Sequence, residues 1–257
     1  MMLPGPWAEW GASPVKRLSI VLPYYKNPKM LAYQYDVWRD YAQKDCLEFV
    51  VVDDGSPENH AIDVPRPDGL PPLSIYRVTK DIPWNQHGAR NLGALVAKGP
   101  WLLMTDIDHV MMPDAIDRLI GMKAKRDRVY TFHRLDAPHM TPAVRPDGRV
   151  KPHVNSFLLT REAYWDVGGY DEDFCGVYGT DGQFRGRMYS RYKQHHLEDL
   201  CLVRFGRDVV ADADTTTLER GSVESIKKAN EERRLWKVAQ GRENVVLTLN
   251  FPWERVL

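Results

Sequence analysis

Several large protein classes are excluded by what this 257-residue chain has little of. Its three cysteines, Cys46, Cys175 and Cys201, are odd in number and widely scattered. They make neither a disulfide framework nor a zinc ribbon, and they fit a reducing compartment. Net charge is absent: Lys plus Arg and Asp plus Glu number 35 each. No overall field draws in a polyanion, so bulk binding of nucleic acid or of an anionic membrane surface gets no support. No run approaches the ~18 apolar residues of a membrane span, and the first residues show no charged segment followed by an apolar one. A soluble, cytoplasmic protein is expected. Repeats and low-complexity runs are missing too, as are the Gly-x-Gly-x-x-Gly turn of dinucleotide folds and the Gly-Lys-Ser/Thr of a phosphate loop. Any nucleotide site must therefore be built from other groups.

What is present centres on Trp101 to His109 (WLLMTDIDH), an apolar run that ends in two carboxylates one residue apart. Such a run reads as a central strand delivering charge at its C-terminal edge, where open α/β sheets bind ligands. Alternate residues leaving a strand share a side, so Asp106 and Asp108 can converge while Ile107 turns into the core. Two carboxylates so close repel unless a cation stands between them, and Mn²⁺ or Mg²⁺ is the oxygen-binding choice. Asp-x-Asp also occurs by chance in loops. Its place before a helix opened by Pro113, with Ile116, Leu119 and Ile120 at helical spacing, favours the functional reading.

The remaining elements follow in order. Strands are expected at Arg17 to Pro23, Leu47 to Val52, Leu73 to Val78 and Arg128 to Phe132. A hairpin turn at Pro146-Asp147-Gly148 should lead to a return strand over Ser156 to Leu159. Helices are expected at Met30 to Tyr41, His87 to Lys98, 113 to 124, Arg161 to Trp165 and from about Asp181 to Lys193. Pro57 to Pro72 reads as a surface loop. Two short strands near 198 to 211, a charged helix from Val223 to about Val238 and a last strand near Val245 to Leu249 complete the chain. Strands alternating with helices make an α/β fold with a mostly parallel, doubly wound sheet.

Three stretches together resemble the family-2 nucleotide-sugar glycosyltransferases of the GT-A fold. LSIVLPYYKNP with VVDDGSP is similar to that family's first strand and nucleoside loop. GARNLGALVAKGPWLLMTDIDHVMMPDAI is similar to its helix, strand and metal-binding Asp-x-Asp. FLLTREAYWDVGGYDEDFCGVYGTDGQF is similar to its acceptor-side segment and to that of the β-1,4-galactosyltransferases. The resemblance implies a single GT-A-like domain: an irregular arm over 1–16, a donor half over 17–110, an acceptor and catalytic half over 111–215, and a C-terminal helix and strand over 216–257. It implies that Pro23, Tyr24, Asp53, Asp54 and Asp81 meet the nucleoside, Arg90 lies by the diphosphate, Asp106 faces ribose and metal, and Asp108 binds the metal. Asp181 falls where the family places its catalytic base. The family's further metal ligand has no clear match; Asp214 is the candidate, with His195 and His196 as others.

The implied reaction moves a sugar from a UDP-sugar to a hydroxyl of a glycan or other biopolymer, with a metal stabilising the departing diphosphate and Asp181 taking the hydroxyl proton. A single displacement inverts the anomeric centre. Each site residue also has a plainer reading. Asp53-Asp54-Gly55 could serve only as a turn. Gly168-Gly169 suits a turn or the close approach of a sugar. Trp84, Tyr170 and Tyr178 suit core packing or stacking on a sugar face. His133, His139 and His153 read as ordinary polar or packed histidines, and Lys227 to Arg234 as a solvated helix face. The cluster Arg185, Arg187, Arg191 and Lys193, with Tyr189, Tyr192, His195 and His196, reads as an exposed basic helix or as a surface for a phosphate-bearing acceptor, including DNA with hydroxymethylated pyrimidines. A nucleotidyltransferase is disfavoured by the missing Gly-rich, Lys/Arg-containing loop after the first strand. A non-catalytic sugar- or nucleotide-binding module is the alternative of another class.

Overall fold

The computed structural model describes residues 13–14, 17–149, 151–214 and 221–257; most of the arm expected over 1–16 lies outside the described residues. The first half holds β1 (Ser13–Pro14), β2 (Leu18–Tyr24), α1 (Pro28–Arg39), β3 (Leu47–Asp53), β4 (Leu73–Val78), α2 (Gln86–Val96), β5 (Trp101–Met104), β6 (His109–Met111), α3 (Pro113–Gly121) and β7 (Lys123–Ala124). The second holds β8 (Arg128–Asp136), β9 (Thr141–Pro142), β10 (Phe157–Thr160), α4 (Arg161–Asp166), α5 (Asp181–Arg191), β11 (Lys193–Arg204), α6 (Val223–Ala239) and β12 (Trp253–Arg255).

Strands β2, β3 and β5 are apolar almost without interruption because both of their faces are covered. Ile20, Leu22, Phe49, Val51 and Leu103 face one core with Met30, Tyr35, Trp38, Ile116 and Leu119 of α1 and α3. Val21, Val50, Val52, Leu102 and Met104 face the other with Ala89, Leu92, Tyr164, Phe184 and Met188 of α2, α4 and α5. This period of two makes a three-layer α/β/α sandwich. Gly93 lets α2 approach the sheet closely, since a Cβ there would overlap Val21.

The main sheet runs β12-β4-β3-β2-β5-β10-β8-β11-β6, with β9 beside β8. Pairing is parallel from β4 through β5 and between β8 and β11, and antiparallel elsewhere. The expected return strand is β10, which lies antiparallel against β8. Strands β5 and β6 adjoin in sequence but stand four places apart in the sheet. Four spacings on a flat sheet would measure about 19 Å, and five residues reach at most about 18 Å. The β8–β11–β6 end therefore curls back, and Thr105 to Asp108 bridges the mouth of the curl.

The chain departs from the sequence pattern at several places: the short strands β6, β7 and β9 are not among those expected, and the helix expected to reach 124 stops at Gly121. Residues expected to form two short strands make one, β11, whose register against β8 shifts between Leu197 and Cys201. The last strand is β12, not Val245 to Leu249, because that stretch spends its backbone groups on the loop beside it: Glu172 N–H donates to Leu247 O at 2.8 Å, and Leu249 N–H donates to Glu172 Oε1 at 2.6 Å. Among the described residues no helix is long and apolar enough to cross a membrane.

Candidate active site

A cleft of about 530 Å³ opens where β2, β3 and β5 end and the curled half of the sheet begins. At its floor, Asp106 and Asp108 leave β5 and line the cleft, while Ile107 packs into the core. Both carboxylates already have cationic neighbours. Arg90, fully buried on α2, forms an ion pair with Asp106 Oδ1 and donates from Nη1 to Asn155 O at 3.1 Å. His153 Nε2 stands 3.3 Å from the other oxygen of Asp106. Asp108 Oδ1 meets His109 Nδ1 at 2.7 Å, and its Oδ2 lies 3.7 Å from Arg204 Nε. Arg204 ends β11, in register with His109 of β6 and Asp136 of β8, so the curl of the sheet delivers it.

The imidazoles of His109 and His153 stack at 3.8 Å between centroids. Asp106, His109 and His153 each offer a ligand atom within 4.8 Å of the others. His109 Nε2 is buried and has no hydrogen-bond partner. Burial, followed by the charge of His109, lowers the pKa of His153 well below its usual value, against an opposing contribution from Asp108. A neutral ring nitrogen is the form that ligates a metal.

Pro23, Tyr24, Tyr25, Asp54 and Asp81 also line the cleft. Tyr25 Oη lies 3.3 Å from both oxygens of Asp81. Asp54 accepts from Asn85 Nδ2 at 2.9 Å. Burial raises its carboxyl well above the usual range, with Asn85 opposing and Asp53 and Asp81 adding to the rise.

Asp181, which also lines the cleft, is the first residue of α5, where the helix N-terminus favours the ionised carboxylate. His87 Nε2 lies 3.5 Å from its Oδ1. Burial acts to raise the carboxyl, but His87 and then Arg90 and Asn155 outweigh it and bring the pKa to about 2. Trp84, Tyr178 and Arg185 line the cleft as well, with the Trp84 and Tyr178 rings 5.6 Å apart. Asp214 also reaches the cleft. Its neighbour Asp212 instead caps α1, accepting from Lys29 N–H at 2.7 Å and Met30 N–H at 2.8 Å.

Four expected site residues lie behind the cleft rather than in it. Asp53 is buried and accepts from Ser56 and Ala61 N–H, both at 2.9 Å, so it shapes the loop after β3. Arg90 acts through Asp106. Gly169 sits inside, where a Cβ would come 2.7 Å from Asn91 Oδ1. Tyr170 is fully buried and stacks on Phe184 at 4.2 Å and on His87 at 5.0 Å. The basic cluster also disperses: Arg187 donates to Val167 O and Gly169 O, Arg191 pairs with Asp166, and His195 and His196 lie beside Tyr130 and His133 on β8. His87, Asn155 and Arg204 carry no local motif that singles them out. In the sequence His153 reads as an ordinary polar or packed histidine; the antiparallel β5–β10 pairing, with Phe157 opposite Met104, brings it to Asp106.

The family model described as Glycosyl transferase family 2 matches residues 19–189. No curated protein sequence matches the chain. Among solved structures, S. aureus TarS residues 1–349, in complex with UDP-GlcNAc, superposes with a TM-score of 0.59 at 15% identity, covering 85% of this chain and 66% of that one. GalNAc-T7 with UDP, GalNAc and Mn²⁺ gives 0.59 at 13% identity, covering 87% and 57%. Mannosyltransferase PcManGT of Pyrobaculum calidifontis, with GDP-Man and Mn²⁺, gives 0.53 at 14%, covering 93% and 66%. The chain thus spans just under two thirds of the first of these proteins and less of the second, and the likeness is one of GT-A fold.

Proposed function

The chain belongs to glycosyl transferase family 2, and we propose that its cleft transfers a sugar from a UDP-sugar to a hydroxyl of a glycan or other biopolymer, inverting the anomeric carbon. The observation that carries this reading is that Asp54, Asp81, Asp106, Asp108 and Asp181 all line one cleft. Residues 17–110 supply the acids and Pro23 and Tyr24 at the donor site, and 111–215 supply the base together with Arg134, His153 and Arg204.

Asp54 accepts a hydrogen bond from the uracil ring, and Pro23 and Tyr24 border the base. Asp181 accepts the acceptor hydroxyl's proton as the oxygen bonds to the anomeric carbon and the bond to the diphosphate breaks. His87 and the helix N-terminus keep Asp181 ionised for that step. Arg90 and Asn155 hold Asp106 and Asp181 in one frame. Arg204 and Arg134 place positive charge beside the departing diphosphate.

Asp106, Asp108, His109 and His153 are the groups that would hold a divalent cation, and the unpartnered His109 Nε2 among clustered donors fits that use. A cation bound there would stabilise negative charge on the leaving diphosphate. Mixed carboxylate and imidazole donors suit Mn²⁺ better than Mg²⁺, which prefers oxygen throughout.

UDP release from a panel of UDP-sugars tests the reading, with Mn²⁺ or EDTA, first without acceptor and then with glycans or DNA containing hydroxymethylated pyrimidines. EDTA-sensitive release from one donor, accelerated by one acceptor class, is expected. No release and no Mn²⁺-dependent UDP binding would overturn it.

A further inference from the structure

Helix α6 lies beyond the family-matched residues, and of its 17 residues only Lys237 is buried. Its large apolar side chains Val223, Leu235, Trp236 and Val238 are exposed, so the helix is not held by a buried apolar face. Its attachments are polar, and they converge on the loop over 171–181, which ends at Asp181. Arg233 Nη2 donates to Cys175 O at 3.3 Å, and Asn230 Nδ2 donates to Tyr178 O at 3.1 Å. Asn230 is itself fixed by a 2.8 Å bond to Ile226 O. The loop needs such support, because Gly176 and Gly179 both sit at φ +80°, where its backbone is least constrained. Gly179 also packs against Ile226, whose Cγ2 would stand 2.9 Å from an added Cβ.

The anchor is a buried charge cluster at the far end of the helix. Lys237 Nζ pairs with Asp171, lies 3.5 Å from Asp173 Oδ2 and also donates to Val245 O. Arg242, just past the helix, reaches Asp173 Oδ1 at 2.8 Å. A lone buried ammonium would be prohibitive; two carboxylates and a carbonyl make it tenable and fix where the helix sits. Two cleft-lining groups of the loop, Tyr178 and Gly179, hang between this anchor and Asp181.

We propose that α6 braces the wall of the cleft beside Asp181, with Asn230 and Arg233 as positioning residues for acceptor binding and Lys237 as their anchor. The acceptor role rests on the transferase reading above; the brace itself does not.

The double variant Asn230→Ala/Arg233→Ala removes both loop bonds without touching a buried charge. Two lost hydrogen bonds of about 1 kcal/mol each correspond to a change of roughly tenfold or more. Amide hydrogen exchange over 175–181 is expected to speed up by that factor while exchange in α2 stays constant. Acceptor KM should rise in step, with UDP affinity unchanged within about twofold. Lys237→Arg should keep slow exchange where Lys237→Met loses it. Unaltered exchange over 175–181, or faster exchange with acceptor and UDP affinities falling together, would overturn the proposal. A wild-type protein that neither binds UDP nor transfers sugar would sink the transferase reading, and the exchange measurement would still decide the brace.

Discussion

Arg90 and Asp106 form an ion pair in which the arginine is wholly enclosed and the aspartate keeps its second oxygen toward the cleft, 3.3 Å from His153. Removing one partner of a buried pair strands the other. Arg90→Met should therefore lower unfolding free energy by about 3–5 kcal/mol in urea titration. Arg90→Lys should recover only part, since one ammonium cannot reproduce the fork that reaches both Asp106 and Asn155 O. A loss below about 1 kcal/mol for Arg90→Met would mean that the pair is incidental.

Asp181→Asn should cut kcat by about 10²- to 10⁴-fold, with UDP affinity nearly constant. Because the pKa of Asp181 is lowered to about 2, the group stays ionised throughout the working range. An acid limb in kcat/KM between pH 5 and 8 must then come from another group. Its stabilising effect is present above the ordinary Asp pKa of about 4 and fades as pH falls from there toward about 2. A wild-type acid limb that disappears in Asp181→Asn would contradict this.

For the metal, His153→Ala should weaken Mn²⁺ binding by about 10- to 100-fold by titration calorimetry, the loss typical of a group that ligates or orients a ligand. EDTA should abolish transfer and Mn²⁺ should restore it. If Asp214→Ala weakens Mn²⁺ more than His153→Ala does, the third ligand belongs to the turn after β11.

Asp54 is predicted to trade stability for binding. Its carboxyl is raised by burial, so the folded state favours the protonated form. That contribution is complete below about pH 4 and is lost as pH rises through the folded-state pKa. Asp54→Asn should gain on the order of 1 kcal/mol at pH 7 but not at pH 3, and should bind UDP more weakly. Equal gains at both pH values would show that the carboxylate's charge is not the cause.

Much of the cleft was legible in the sequence because its acids end buried strands. Asp106 and Asp108 can be placed from strand period, and Asp54 from the family resemblance. Asp53 reads the same way, but a single step along the chain turns it from cleft to loop interior. Tyr170 looked like a sugar platform among glycines, yet its neighbours Phe184 and His87 arrive from other helices and enclose it. Arg204 and His153 are hidden for the opposite reason: only the curl of the sheet and the β5–β10 pairing bring them to the two acids. The strand expected at Val245 to Leu249 failed because an apolar alternation does not reveal that a neighbouring loop will claim the backbone bonds.

Strand β12 closes the β4 edge of the sheet, and the bond from Thr79 N–H to Pro252 O joins positions 173 residues apart. On the ribosome, β4 and the Asp81–Trp84 turn that follows it are made long before that partner. This edge of the sheet, beside the cleft, would thus stay unpaired until β12 is made, and such edges recruit other chains. Closing it comes late and spans a large loop, a contact of the kind that slows folding. Arg77, placed on β4 and opposite Glu254, leaves a charge on the waiting edge, which makes it a poorer template for aggregation than an all-apolar strand.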